Sequence, residues 1–279
     1  MTARPTLPAG RRITLPAGDI DLRDIGGPAG APTIVLLHGW TATADVNFYK
    51  CYAPLAEHFR VLAFDHRGHG AGIRTAKPFR LADCADDVAA MAAAVSVDSI
   101  IPVGYSLGGT VAQLLARRHP DLVRGLVLCS TAARFSTQQV ERLSFIGLSG
   151  LAALARLAPV AARRRLTDRY FTQRKQGDWE PWALELAATT HDWRMVLEAG
   201  AALGTFDSTT WASQIDVPAA AVITERDEVV PPSRQHELAN LVDAATWTIA
   251  AGHDAAVRAT DRFVPAVIAA VESVVERST

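Results

Sequence analysis

No stretch of this chain constrains its fold more than Ile100 to Arg118. There an apolar run, Ile100 to Val103, passes directly into Gly104-Tyr105-Ser106-Leu107-Gly108-Gly109 and on into a helical pattern that stops at His119-Pro120. A buried strand joined to a helix without a loop forces the backbone through one tight turn, and the residues beside that turn must be small. Gly104, Gly108 and Gly109 meet that need and leave the Ser106 hydroxyl exposed on the turn. A bare G-x-S-x-G would occur by chance in about one chain in ten of this size, so its weight comes from lying between a strand and a helix.

The same strand and helix alternation runs through most of the chain and predicts an α/β fold, a mostly parallel central sheet with helices on both faces. Arg11 to Leu15 and Ile20 to Ile25 flank the turn residues Pro16-Ala17-Gly18-Asp19 and read as a hairpin at a sheet edge. Further strands are expected at Thr33 to Leu37, Val61 to Phe64, Val123 to Cys129, Ala219 to Thr224 and Thr246 to Ala250. Helices are expected at Phe48 to Phe59, Leu81 to Val95, Leu107 to Arg118, Ser233 to Leu241 and Phe263 to Val275. From about Ala133 to Phe206 the alternation gives way to Ala-, Leu- and Arg-rich helical stretches carrying Phe135, Phe145, Tyr170, Phe171, Trp179, Trp182 and Trp193. The organisation expected is a core of residues 1–132 and 207–279 with an inserted helical cap, or lid, at 133–206.

A seryl oxygen is a feeble nucleophile at neutral pH, so it needs a base within hydrogen-bond reach and a third group to hold that base in the right tautomer. Thr224-Glu225-Arg226-Asp227 follows the penultimate strand and Gly252-His253 follows the last. Both therefore fall at carboxyl ends of strands, the ligand-binding rim of an open α/β sheet.

Ser106, Asp227 and His253 in that chain order, together with His38-Gly39-Trp40 after an early strand, resemble the α/β-hydrolase family. Asp65-His66-Arg67-Gly68-His69-Gly70 resembles the family's turn after its fourth strand, and Asp227-Glu228-Val229-Val230-Pro231 its segment around the acid. The likeness spans roughly residues 31–132 and 214–275. It implies a cofactor-independent serine hydrolase, an esterase above all, in which Ser106 attacks a carbonyl carbon, His253 takes its proton and Asp227 orients the imidazole. The oxyanion would be met by the backbone N–H groups of Trp40 and Leu107. No metal or organic cofactor is implied. Hydrolysis of a carbon–carbon bond, a lactone or a thioester, or perhydrolysis, would use the same three residues, and a non-catalytic member would use the pocket only to bind a small molecule. Relatives commonly have glycine three residues before the acid where this chain has Thr224, so Glu225 and Glu228 stay open as alternatives to Asp227.

The remaining features have plainer readings. His38 is expected to be a hydrogen-bonded support. His66 and His69 invite a metal reading, but H-x-x-H on a glycine-rich turn lacks helical spacing and a third ligand. Arg163-Arg164-Arg165 reads as a solvated helix face, and the cap aromatics as the cap's own core. Tyr105, Phe135, Trp182 and Trp193, with the Trp40 side chain, are candidates to line a pocket for a small-molecule ester or related carbonyl substrate. A net charge of −1 from 28 basic and 29 acidic residues offers no footprint for nucleic acid. Cys51, Cys84 and Cys129 form no disulfide pattern, no stretch is apolar enough for a membrane span, and a cytoplasmic location is the expectation.

Overall fold

The computed structural model describes residues 5–136, 147, 150–151 and 180–278. Its strands are β1 (Gly10–Leu15), β2 (Gly18–Ile25), β3 (Thr33–Leu37), β4 (Arg60–Ala63), β5 (Ile101–Tyr105), β6 (Leu126–Cys129), β7 (Ala219–Thr224) and β8 (Ala245–Ile249). They form an eight-stranded sheet in the order β1-β2-β4-β3-β5-β6-β7-β8. The β1–β2 hairpin and the β2–β4 pair are antiparallel, and every pairing from β4 through β8 is parallel. β5 and β7 are buried at every position, as strands covered on both faces must be.

The described helices, numbered in chain order, are α1 (Ala44–Phe48), α2 (Tyr52–Ala56), α3 (Leu81–Ala94), α4 (Leu107–Arg118), α5 (Pro181–Thr190), α6 (Trp193–Thr205), α7 (Pro232–Leu241), α8 (Ala255–Arg258) and α9 (Thr260–Arg277). Side chains of one strand alternate between the two faces. Val35 and Leu37 of β3 accordingly join the cluster that includes Val88 and Met91 of α3 and Val111 and Leu115 of α4. Ile34 and Leu36 join Phe48 of α1, Leu55 of α2, and Phe263 and Val267 of α9 on the opposite face.

The single helix expected over Phe48 to Phe59 is shortened to α2, and α1, which ends at Phe48, lies ahead of it. Pro54 explains the break: it has no N–H to give the carbonyl of Lys50, and its ring would clash there, so it is tolerated only inside the first turn of a new helix. α1, which was not expected, begins at Ala44 because Thr43 caps it, its hydroxyl accepting from Val46 N–H at 3.0 Å.

Between β6 and β7 the described chain contains α5 and α6, and an antiparallel bridge between Arg134 and Asp207 joins the ends of this excursion. Phe145, Tyr170, Phe171, Trp179 and Arg163 to Arg165 lie outside the described residues. The corner between α5 and α6 is bound to the segment after β4. Asp192 N–H donates to Gly68 O at 2.8 Å, Gly70 N–H donates to His191 Nδ1 at 3.0 Å, and Phe79 N–H donates to Glu198 Oε2 at 2.8 Å. The Arg74 guanidinium reaches Thr190 O at 2.5 Å, and Arg194 donates to Thr75 O. Among the described residues no helix is long and apolar enough to cross a membrane.

Candidate active site

Ser106 sits between β5 and α4 with φ 54° and ψ −116°, a left-handed conformation that a residue with a side chain adopts only at a cost of about 1–3 kcal/mol. Three hydrogen bonds to its backbone hold it there: Ser106 N–H donates to Cys129 O at 3.0 Å, and Ser106 O accepts from Gly109 N–H at 2.9 Å and from the Thr131 hydroxyl at 2.7 Å. The glycines act as the sequence requires. A Cβ on Gly104 would stand 2.5 Å from Gly108 O, and one on Gly108 would stand 2.0 Å from Leu37 O. Because the obstacle at Gly108 is backbone of the central strand, Gly108→Ala is expected to cost about 3 kcal/mol, read as a melting temperature lowered by roughly 6–12 °C. A shift below 2 °C would contradict this packing.

His253 follows β8, and its ring lies between the other two groups, with Nε2 3.0 Å from Ser106 Oγ and Nδ1 2.8 Å from Asp227 Oδ2. An ionised carboxylate can only accept, so Nδ1 carries the ring proton and Nε2 presents its lone pair to the serine hydroxyl. The Asp227 side chain is wholly buried. Its Oδ1 accepts from Val229 N–H at 2.9 Å and Val230 N–H at 2.8 Å, and its Oδ2 from Thr224 Oγ1 at 2.8 Å as well as from His253. Such donors offset the cost of burying a charge. Glu225 and Glu228, the alternatives left open above, are exposed. The carboxylate that reaches the imidazole is that of Asp227.

Beside Ser106 runs the segment after β3. A Cβ on Gly39 would lie 3.4 Å from Ser106 Cβ, and Gly39 N–H is held by Asn47 Oδ1 at 2.8 Å. Trp40 follows, its indole N–H donating to Val196 O of α6 at 2.7 Å. Leu107 is the first residue of α4, where helix N–H groups have no intrahelical acceptor.

A family model described as the alpha/beta hydrolase fold matches residues 32–255. The chain belongs to the alpha/beta hydrolase family. Among curated proteins it is 37% identical over 111 residues to a proline iminopeptidase of Pestalotiopsis fici, covering 39% of each chain. It is 39% identical over 105 residues to a bifunctional esterase/perhydrolase of Acinetobacter calcoaceticus, covering 37% of this chain and 38% of that one. The matches thus span well under half the length of these two relatives. Among solved structures, the enol-lactonase from Burkholderia xenovorans superposes with a TM-score of 0.76 at 24% identity, covering 94% of this chain and 100% of that one, a likeness of fold.

The aromatics expected around the pocket of this hydrolase-fold chain fall in several places. Tyr105 is buried in the sheet core against Phe48 and Phe263, and its hydroxyl donates to the backbone carbonyl of His253 at 2.5 Å. Its hydroxyl therefore ties the backbone of His253 to the sheet core. Trp182 of α5 packs on Ala42 and Val46 and meets Tyr49 edge-on at 5.1 Å. Trp193 of α6 meets His191 at 5.2 Å, and Phe135 joins the core cluster that contains α4.

His38, His66, His69 and His191 form a chain of rings beneath the Gly39–Trp40 segment, with successive centroid distances of 4.4 Å (38–66), 5.3 Å (38–69) and 5.2 Å (69–191). His38 bonds to backbone on both sides: Nδ1–H to Gly39 O at 2.8 Å, and Nε2 accepting from His66 N–H at 2.9 Å. Burial and the neighbouring imidazoles hold His38 and His69 well below the usual histidine range, and burial pushes His66 down to about 3. Among the described residues no group of three or more His, Cys, Asp or Glu is placed to hold a metal ion. The three cysteines are buried and none is in a disulfide.

Sequence reasoning passed over Thr224 and Gln235, which surround Asp227. The available signal was the hydroxyl residue three positions before the acid, noted only as a departure from the family pattern.

Proposed function

We propose that the protein is a cofactor-independent serine hydrolase that cleaves carboxylic esters of small or medium apolar acids through an acyl-enzyme. What carries the reading is the unbroken relay from Ser106 Oγ through His253 to Asp227, at 3.0 and 2.8 Å, with the serine on a strained turn. Ser106 Oγ attacks the carbonyl carbon as its proton passes to His253 Nε2. The C–O bond to the alcohol then breaks, and His253 returns the proton to the departing oxygen. Water then attacks the acyl carbon as it gives a proton to His253; the bond from that carbon to Ser106 Oγ breaks, and His253 returns the proton to Ser106 Oγ as the acid leaves. The oxyanion of each tetrahedral intermediate is received by the backbone N–H groups of Trp40 and Leu107. Residues 133–206 serve as the cap, with Trp40, Phe135, Trp182 and Trp193 contributing apolar surface to the acyl pocket and Tyr105 steadying His253.

The bond cleaved is the finer part of this reading. The relatives named above include an esterase/perhydrolase, a peptidase and a lactonase, and all of those chemistries pass through attack on a carbonyl. Two measurements test the proposal. A fluorophosphonate is expected to modify Ser106 in the folded protein. On a panel of p-nitrophenyl acetate and butyrate, a lactone, a thioester and a dienone acid, the p-nitrophenyl esters are expected to turn over fastest. Failure to label Ser106 while a control esterase is labelled refutes the nucleophile. Rapid dienone cleavage without ester turnover refutes the ester preference and leaves the nucleophile standing.

A further inference from the structure

Thr224 ends β7 and is wholly buried. Its hydroxyl lies 2.8 Å from Asp227 Oδ2, the same oxygen that faces His253 Nδ1. The direction of that bond follows from counting protons. Thr224 N–H can only donate, and Gln235 Oε1 is 3.0 Å from it, which orients the carboxamide. Gln235 Nε2 then gives one proton to Val230 O at 2.7 Å and turns the other toward Thr224 Oγ1 at 2.9 Å, with Asp227 Oδ2 at 3.3 Å. Ser130 Oγ lies 3.1 Å from the same hydroxyl oxygen. The Thr224 proton is left with three acceptors, the carboxylate at 2.8 Å, Ser130 Oγ at 3.1 Å and Gln235 Oε1 at 3.3 Å. The nearest of them, which carries the charge, takes it.

Asp227 is thereby held on both oxygens. Val229 and Val230 N–H groups grip Oδ1, and the Thr224 hydroxyl grips Oδ2, the oxygen that also faces the imidazole. A buried carboxylate tied only at Oδ1 could still turn Oδ2 off the ring. A glycine at this position would have no hydroxyl to prevent that. We propose that Thr224 is a positioning residue of this site, its hydroxyl, oriented by Gln235 and Ser130, holding Asp227 Oδ2 on His253 as charge develops on the imidazole. This rests on the serine-hydrolase reading above, and it concerns how the acid is aimed whichever acyl bond is cut.

The test uses the rate of Ser106 modification by a fluorophosphonate, which needs no knowledge of the natural substrate and separates reactivity (kinact) from binding (KI). Thr224→Val keeps the shape and removes the donor, whereas Thr224→Ser keeps the donor. The valine variant is expected to lower kinact about tenfold with KI within about twofold, and the serine variant to recover to within about twofold of the parent, because one charge-assisted hydrogen bond in place before the step is at stake. In an Asp227→Asn background the same Thr224→Val change is expected to alter kinact by less than about twofold, since its effect passes through the carboxylate. Parental kinact in the valine variant, equal losses for valine and serine, or an undiminished tenfold loss in the Asp227→Asn background would each overturn the proposal. If the valine variant does not fold, Thr224→Ala makes the same comparison with serine. Absence of labelling in the parent protein would instead refute the serine-hydrolase reading.

Discussion

Ser106→Ala is expected to lower kcat/KM on the best ester of the panel by about 10⁴ to 10⁶, while calorimetry still detects binding of a non-hydrolysable analogue. The size of the loss follows from the geometry. Alanine removes the hydroxyl oxygen that lies 3.0 Å from His253 Nε2, and the relay through Asp227 then has no hydroxyl to activate. Residual turnover would come from preorganised backbone donors acting on a bound ester attacked by water. The variant should also be slightly more stable than the parent only if relief of the side chain at φ 54° outweighs the lost hydrogen bond; alanine has a Cβ as serine does, so little change in melting temperature is expected. Turnover within tenfold of the parent would eliminate the acyl-enzyme mechanism. Lost turnover with intact binding would also exclude a purely ligand-binding role for the pocket.

The second large effect concerns acid. Below about pH 6.5 the protein is expected to lose stability on the order of 2 kcal/mol per pH unit, seen as a melting temperature that falls steadily between pH 6.5 and 4.5. His38, His66 and His69 are neutral in the fold, His66 down to about 3, whereas in the unfolded chain each takes up a proton near 6.5. The unfolded state therefore binds more protons throughout this window, and stability rises with pH. Two carboxyl groups oppose the trend. Burial raises Asp65 to about 6 and also raises Asp87, so the fold retains protons there that the unfolded chain releases. Three imidazoles outweigh them. His66 gives a clean check because neither of its ring nitrogens has a hydrogen-bond partner among the described residues. His66→Phe keeps a buried ring and removes the titrating group, and should flatten the slope by about 1.4 kcal/mol per pH unit. A slope unchanged by that substitution, or a parent protein equally stable at pH 6.5 and 4.5, would disprove the linkage.

Legibility in the sequence tracked how local the causes were. α4 and β7 occupy the residues that their pattern predicts, because an apolar run bounded by glycine or proline leaves little choice of register. α1 was missed because five residues are too few for a periodic signal, and its start depends on one threonine cap. The relay was readable from chain order and strand ends, since each of its residues sits at the carboxyl edge of the sheet. What surrounds it was not. Thr224, Gln235 and Ser130 come from β7, α7 and the end of β6, and nothing in their spacing announces that they meet. The imidazole row had the same difficulty: His66 and His69 share a motif, but His191 arrives from the α5–α6 corner more than a hundred positions later.

That corner also says where this protein can be cut and rejoined. Asp192, Arg194 and Glu198 are tied to the segment after β4, and the Trp40 indole is tied to α6 through Val196. Exchanging specificity with a relative by transplanting everything from Ser136 to Phe206 would carry off the partner of the loop beside the nucleophile. Junctions placed at Ser136 and Glu180 would leave it in the host, so chimeras should be divided there.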